Sequence, residues 1–151
     1  MITIIGPRQS GKTTLAKKVF SGYDFAEVGL ACYLLGIENP GQLERDPAFG
    51  GLFENLVIAE AYKSRINAGL EPNMYFYRDR HQNEIDLLYP SGPGFIPVEI
   101  KSSRTYRDEF LKGIRYFQKI SGDNRPGVLV YDGDLEMETA DARIRNFRNA
   151  W

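Results

Sequence analysis

Glu84-Ile85-Asp86-Leu87-Leu88-Tyr89 and, after the turn Ser91-Gly92-Pro93-Gly94, Phe95-Ile96-Pro97-Val98-Glu99-Ile100-Lys101 form the stretch that decides how this chain folds. Both runs read as strands, rich in β-branched and aromatic residues and bounded by Gly and Pro. Side chains two apart on a strand share a face, so Glu84 pairs with Asp86 and Glu99 with Lys101, while Ile85, Leu87, Val98 and Ile100 point the other way. Charges are usually kept off the middle of strands with apolar neighbours, so these four need an explanation. If the strands align, the four polar groups converge. Carboxylates at close range repel unless a cation intervenes, and a hard divalent ion such as magnesium takes such oxygens together with water and phosphate. A nearby ammonium then helps hold a phosphate or its transition-state charge. An E-x-K taken alone is more often a solvated strand edge, and what changes that reading is the order of the elements around it.

Upstream, Met74 to Tyr77 predicts a further strand, which with the two above suits an antiparallel meander. Leu52 to Asn67 predicts a helix, with Phe53, Leu56, Val57 and Ala61 on one side and Asn67-Ala68-Gly69 as its stop. Downstream, Arg107 to Ile120 predicts a second amphipathic helix carrying Phe110, Ile114 and Phe117, then Val128 to Tyr131 a buried strand, with one more strand near Ala142 to Phe147. The expected class is α/β (α+β): helix, three-strand meander, helix, strand. Residues 21 to 49 read as a Gly-rich joint with the apolar stretch 29 to 35 and a polar loop around Asn39-Pro40-Gly41.

At 151 residues, 42% hydrophobic, the chain suffices for one domain with a real core and little else. A net charge of −1 offers no global attraction to nucleic acid, so DNA binding needs local clusters of Lys and Arg. Cys32 is the sole cysteine and His81 the sole histidine, which excludes an intrachain disulfide and cysteine-rich zinc patterns and fits a reducing compartment. The run Met1 to Gly6 is too short for a signal peptide or a membrane span, so the expected location is cytoplasmic, with no membrane contact.

Asp86 followed by Glu99-Ile100-Lys101, within that element order, resembles the PD-(D/E)XK nuclease superfamily, roughly over residues 50 to 132. The resemblance implies that Asp86 and Glu99 bind Mg2+ or Mn2+, that Ile100 adds its backbone carbonyl, and that Lys101 positions the nucleophile or stabilises charge. Some members add a helix glutamate four residues after a glycine, a spacing matched by Gly50 and Glu54. Glu60 competes with Glu54, because helical geometry puts it about 20° from Phe53, inside the apolar stripe. Gln118 matches weakly a helix glutamine of some members.

A closer resemblance, over almost the whole chain, is to AAA-type ATPases that carry a nuclease-like C-terminal domain of unassigned function. It rests on residues 29–37, Gly51-Leu52-Phe53-Glu54-Asn55-Leu56-Val57, Tyr75-Phe76-Tyr77-Arg78-Asp79, Glu84-Ile85-Asp86-Leu87-Leu88 and Glu99-Ile100-Lys101-Ser102-Ser103. It is joined by Gly6-Pro7-Arg8-Gln9-Ser10-Gly11-Lys12-Thr13, which fits the P-loop pattern G-x-x-x-x-G-K-S/T between an expected strand, Ile2 to Ile5, and an expected helix, Thr13 to Phe20. In a working loop the backbone N–H groups from Gly6 to Gly11 cradle ATP phosphates, Lys12 reaches the terminal ones and Thr13 ligates magnesium. Only a few residues stand where those ATPases place a whole nucleotide-binding domain, and one strand and helix cannot make a doubly wound sheet. The expected organisation is therefore a P-loop remnant at 1–22, a linker at 23–49 and a nuclease-like domain at 50–151, with ATP hydrolysis not expected.

Lys101, Arg104, Arg107, Lys112, Arg115 and Lys119 concentrate around the proposed lysine and the following helix, as a phosphate-tracking strip would, although Asp108 and Glu109 interrupt it. Tyr75, Phe76, Tyr77, Tyr116 and Phe117 read as core and rim before they read as a base-stacking platform. Three functions follow as expectations: a metal-dependent DNA phosphodiesterase, an inactive nuclease fold that binds nucleic acid, a protein partner or a second copy, or an ATP-binding P-loop protein.

Overall fold

Alternation along the strands becomes two cores on opposite faces of one sheet. Leu87, Val98, Ile100 and Val130 pack against Phe53, Val57 and Ala61 on one side. Leu129, Tyr131, Ala142 and Ile144 pack with Leu111 and Ile114 on the other. Each fully buried aliphatic side chain contributes about 1.5–3 kcal/mol relative to exposure. The structure, a computed structural model, describes residues 28–151; the P-loop pattern Gly6 to Thr13, with Lys12, and the strand and helix expected to flank it lie outside the described residues.

In chain order the elements are α1 (Val28–Leu34), α2 (Pro40–Leu43), α3 (Phe49–Asn67), β1 (Tyr75–Arg78), β2 (Glu84–Ser91), β3 (Gly94–Lys101), a 3-10 turn (Asp108–Leu111), α4 (Lys112–Ser121), β4 (Gly127–Tyr131), β5 (Met137–Glu138), β6 (Ala142–Asn146) and a last 3-10 turn (Phe147–Asn149). The strands form one six-stranded sheet in the order β1-β2-β3-β4-β6-β5. β1, β2 and β3 are the antiparallel meander expected from the sequence. β3, β4 and β6 run parallel, and β5 returns antiparallel on β6, so the sheet is mixed. The parallel step from β3 to β4 needs a crossover, supplied by α4, which packs on β3 and β2. Gly122, with φ at +71°, closes α4 in the left-handed conformation that glycine takes without strain.

Several expectations shift by an element. The apolar stretch 29–35 is helical as far as Leu34, as α1, and lies against α3. The loop at Asn39-Pro40-Gly41 contains the single-turn α2, because the Asn39 side chain accepts the Gln42 N–H and Pro40 takes the first helical position. The helix expected from Arg107 starts as the 3-10 turn and becomes α-helical only at Lys112. The two-residue β5 is too short to leave a periodic pattern.

Candidate functional site

Residue pairing between β2 and β3 runs from Ser91↔Gly94 to Leu87↔Val98 and stops there. β3 nevertheless continues to Lys101, held on its other edge by β4 through Lys101↔Tyr131. Where the two strands part, a side chain takes over from the ladder: Asp86 Oδ2 accepts the Ile100 backbone N–H at 2.7 Å. The same oxygen lies 3.0 Å from Lys101 Nζ, which also donates to Glu99 Oε2 at 2.5 Å. Asp86, Glu99 and Lys101 thus converge at the C-terminal end of β3, as their alternation predicts. Glu84, expected beside them, turns outward and pairs with Arg78 at 2.9 Å.

Glu99 is almost wholly enclosed, with 7% of its side chain exposed. The cause is α4: a methyl group at Gly113 would lie on Glu99 Oε1 and 2.8 Å from the Glu84 carbonyl oxygen, so the helix backbone roofs the carboxylate directly. Burial, reinforced by Asp86 and only partly offset by Lys101, pushes the Glu99 carboxyl up to about 7. For Lys101, burial works against the charged form, but Asp86 and Glu99 together outweigh it and raise its pKa. Two carboxylates and one ammonium sharing a half-closed site leave one excess negative charge when all are ionised.

Glu54 stands on α3, half-buried and next to the core residue Phe53. The N-terminal end of α3 reaches the end of β3, where a methyl at Gly50 would be 3.8 Å from Ser102 Oγ. The four-residue spacing puts Glu54 on the same face as Gly50, at the Lys101 end of the sheet. Among the described residues no three His, Cys, Asp or Glu side chains assemble as a metal-holding group. Glu60 is corrected outright: it is exposed and ion-paired to Lys63 at 2.9 Å. The buried row Phe53, Val57, Ala61 advances four residues at a time and drifts around the helix, leaving Glu60 about 60° from Val57 and about 100° from Ala61.

The basic strip is largely neutralised. Arg104 bridges Glu44 at 2.8 Å and Asp132 at 3.3 Å, Arg107 pairs with Glu109, and Arg115 pairs with Asp108 and Asp141. Lys112 and Lys119 carry no ion pair among the described residues. Gln118 is buried, and its amide donates to the carbonyls of Arg125 and Asp141, clamping the loops that lead into β4 and β6, at the far end of α4 from Gly113. Tyr77 packs edge-on to Phe117 and Tyr75 to Phe95, while Phe76 is exposed. His81 is exposed.

Two positions escaped the sequence reading. Gly113, unremarked in the sequence, is the roof of Glu99. Asp79 accepts the backbone N–H groups of His81 and Asn83, the Asn83 amide and, at 2.6 Å, the Tyr116 hydroxyl. These donors hold the Asp79 carboxyl far below the usual carboxylate range and pin the β1–β2 turn to α4. An Asp four residues before an Asn in a predicted turn was the available signal.

Against known families, a match covers residues 49–148, to the family described as "Domain of unknown function (DUF4143)". The chain belongs to this family. Its DUF4143 span opens at the first residue of α3 and closes in the last 3-10 turn, so it holds the entire sheet, α4 and all of Asp86, Glu99 and Lys101, and leaves α1 and α2 outside. No curated protein and no solved structure matches the chain. Among the described residues no helix is long and apolar enough to cross a membrane.

Proposed function

We propose that this chain carries a PD-(D/E)XK nuclease-type core, residues 50–151, that hydrolyses phosphodiester bonds in DNA with magnesium or manganese. The observation that carries the reading is the convergence of Asp86 and Glu99 on Lys101 where β2 and β3 part. The order α3, antiparallel β1 to β3, α4, and β4 parallel to β3 supports it.

Two carboxylates fit magnesium, which uses one or two of them and keeps water and substrate phosphate for its remaining positions; they do not fit a calcium cage of six to eight oxygens. The bound ion supplies a polarised phosphate oxygen and a water of lowered pKa. Asp86, oriented by the Ile100 N–H, and Glu99, enclosed beneath Gly113, would hold the ion from adjacent strands, with Glu54 on α3 as the third candidate ligand. Ile100 contributes its carbonyl. Lys101 sets its ammonium against the charge that builds on the phosphate, in a site dry enough to strengthen the attraction.

The test incubates supercoiled, linear, single-stranded and branched DNA with purified protein and either metal. Cleavage by wild type that disappears in Asp86→Ala and Lys101→Ala is the expected result. If wild type and Lys101→Ala leave every substrate uncut, the nuclease reading fails.

A second reading has its own support: among the described residues no three His, Cys, Asp or Glu side chains form a metal-holding group, Lys101 already bridges Asp86 and Glu99, and Arg104, Arg107 and Arg115 are ion-paired. Under it the fold is a non-catalytic module for nucleic acid or a protein partner, and binding survives both EDTA and Asp86→Ala. Residues 1–22 we read as the P-loop remnant of a shortened AAA-type ATPase and 23–49 as its linker. An ATP-induced thermal shift lost in Lys12→Ala is what nucleotide binding there requires.

A further inference from the structure

We propose that Lys101 is an internal stand-in for the divalent cation, holding the ligand oxygens of Asp86 and Glu99 until the ion binds and then turning to the substrate phosphate. The inference rests on the nuclease reading and adds an order of events to it.

The three members of the cluster differ in freedom. Asp86 is tied through Oδ2 to the Ile100 N–H, and rotating it away breaks a 2.7 Å hydrogen bond at the point where the strand ladder has already ended. Glu99 is packed directly under Gly113, where an added methyl group would collide with it, and its side chain is almost wholly enclosed. Lys101 is the last residue of β3, its side chain is one-third exposed, and its flexible four-carbon stem reaches solvent at the sheet end. The carboxylates are therefore the fixed frame and the ammonium is the movable part.

The ammonium also sits on the atoms that matter. Its contacts are Asp86 Oδ2 at 3.0 Å and Glu99 Oε2 at 2.5 Å, one oxygen from each proposed ligand. A magnesium-sized ion needs such oxygens at about 2.1 Å. Both cations cannot hold the same two oxygens, because like charges would then face each other across a dry gap. Exchange follows: with the ion absent the buried carboxylates keep a counter-charge, and with the ion present the Lys101 side chain is free at the end of β3, three residues beyond the last β2–β3 pair, beside the incoming phosphate. A metal-free protein then offers no ammonium to DNA at this point.

The test is calorimetric titration of manganese into the full chain at pH 8, wild type against Lys101→Met, with circular dichroism to show that each is folded. The stand-in role predicts that Lys101→Met binds manganese more tightly, by about tenfold or more. A second measurement avoids the variant: labelling of Lys101 in wild type by an amine-reactive ester, read by mass spectrometry, rises when manganese is added. Wild-type binding that Lys101→Met matches or weakens, or labelling that saturating manganese leaves unchanged, overturns the stand-in role and leaves the nuclease reading intact. If neither folded protein binds manganese, the metal site itself is wrong, and the nuclease reading goes with it.

Discussion

Replacing Glu99 by glutamine should stabilise the metal-free protein at neutral and alkaline pH while removing its metal binding. The folded chain holds the Glu99 proton up to about 7, against an ordinary value of 4.5. Between those values the folded state binds more protons than the unfolded one, so stability falls as pH rises through that window and is flat above it. At about 1.4 kcal/mol per pH unit, the penalty is complete above pH 7 at roughly 3 kcal/mol. Glutamine mimics the protonated carboxyl in size and charge and avoids the penalty, even though it forfeits the ion pair with Lys101. Urea unfolding in EDTA, followed by circular dichroism, should show Glu99→Gln and wild type nearly equal at pH 4.5 and the variant ahead by up to roughly 3 kcal/mol at pH 8. In thermal melts at pH 8, at about 2–4 °C per kcal/mol, the gain is about 6–12 °C. A difference that stays constant from pH 4.5 to 8 would show that Glu99 is not the titrating group. A variant weaker than wild type at pH 8 would show that the Lys101 ion pair outweighs burial, and the electrostatic argument for the site would collapse. Gain of stability with loss of binding is what a carboxylate kept for function should show.

Gly113→Ala adds a methyl where Glu99 and the Glu84 carbonyl already stand, so it should cost about 1–3 kcal/mol by overpacking and weaken manganese binding. On an unconstrained helix surface the same change would stabilise by up to about 1 kcal/mol, so the sign of the shift in a thermal melt decides. Magnesium affinity should climb with pH to about 7 and then level off, because Glu99 must give up its proton; calorimetry in two buffers of different ionisation enthalpy should find protons released at pH 6 and almost none at pH 8. Gln118→Ala strips the carbonyls of Arg125 and Asp141 of their buried donor and should cost about 1–3 kcal/mol in urea unfolding. Manganese binding by that variant should be unchanged, and a loss would return Gln118 to the site.

Local pattern carried a good deal of this. Strand alternation is a property of the backbone, so the pairing of Glu99 with Lys101 on one face, the apolar faces of Leu87, Val98 and Ile100, and the meander with its turns were readable without coordinates. Apolar spacing predicted helices over Leu52 to Asn67 and Arg107 to Ile120, and the structure has them at Phe49–Asn67 and, after a 3-10 turn, at Lys112–Ser121. What needed the tertiary structure is whatever depends on two segments far apart in the chain. The ladder's end at Leu87↔Val98, which frees Ile100 to bond Asp86, reflects β3 leaving β2 while staying with β4. The choice between Glu54 and Glu60 turned on how the α3 stripe drifts across the sheet, which a helical wheel drawn from Phe53 alone misplaces. The sequence shows Asp108 and Glu109 within the strip but not that Arg104 is held by Glu44 and Asp132 and Arg115 also by Asp141, all remote in the chain. Gly113 shows the division most clearly: its lack of a side chain is plain in the sequence, but only the packing of α4 on β3 reveals that the missing methyl is the space Glu99 occupies.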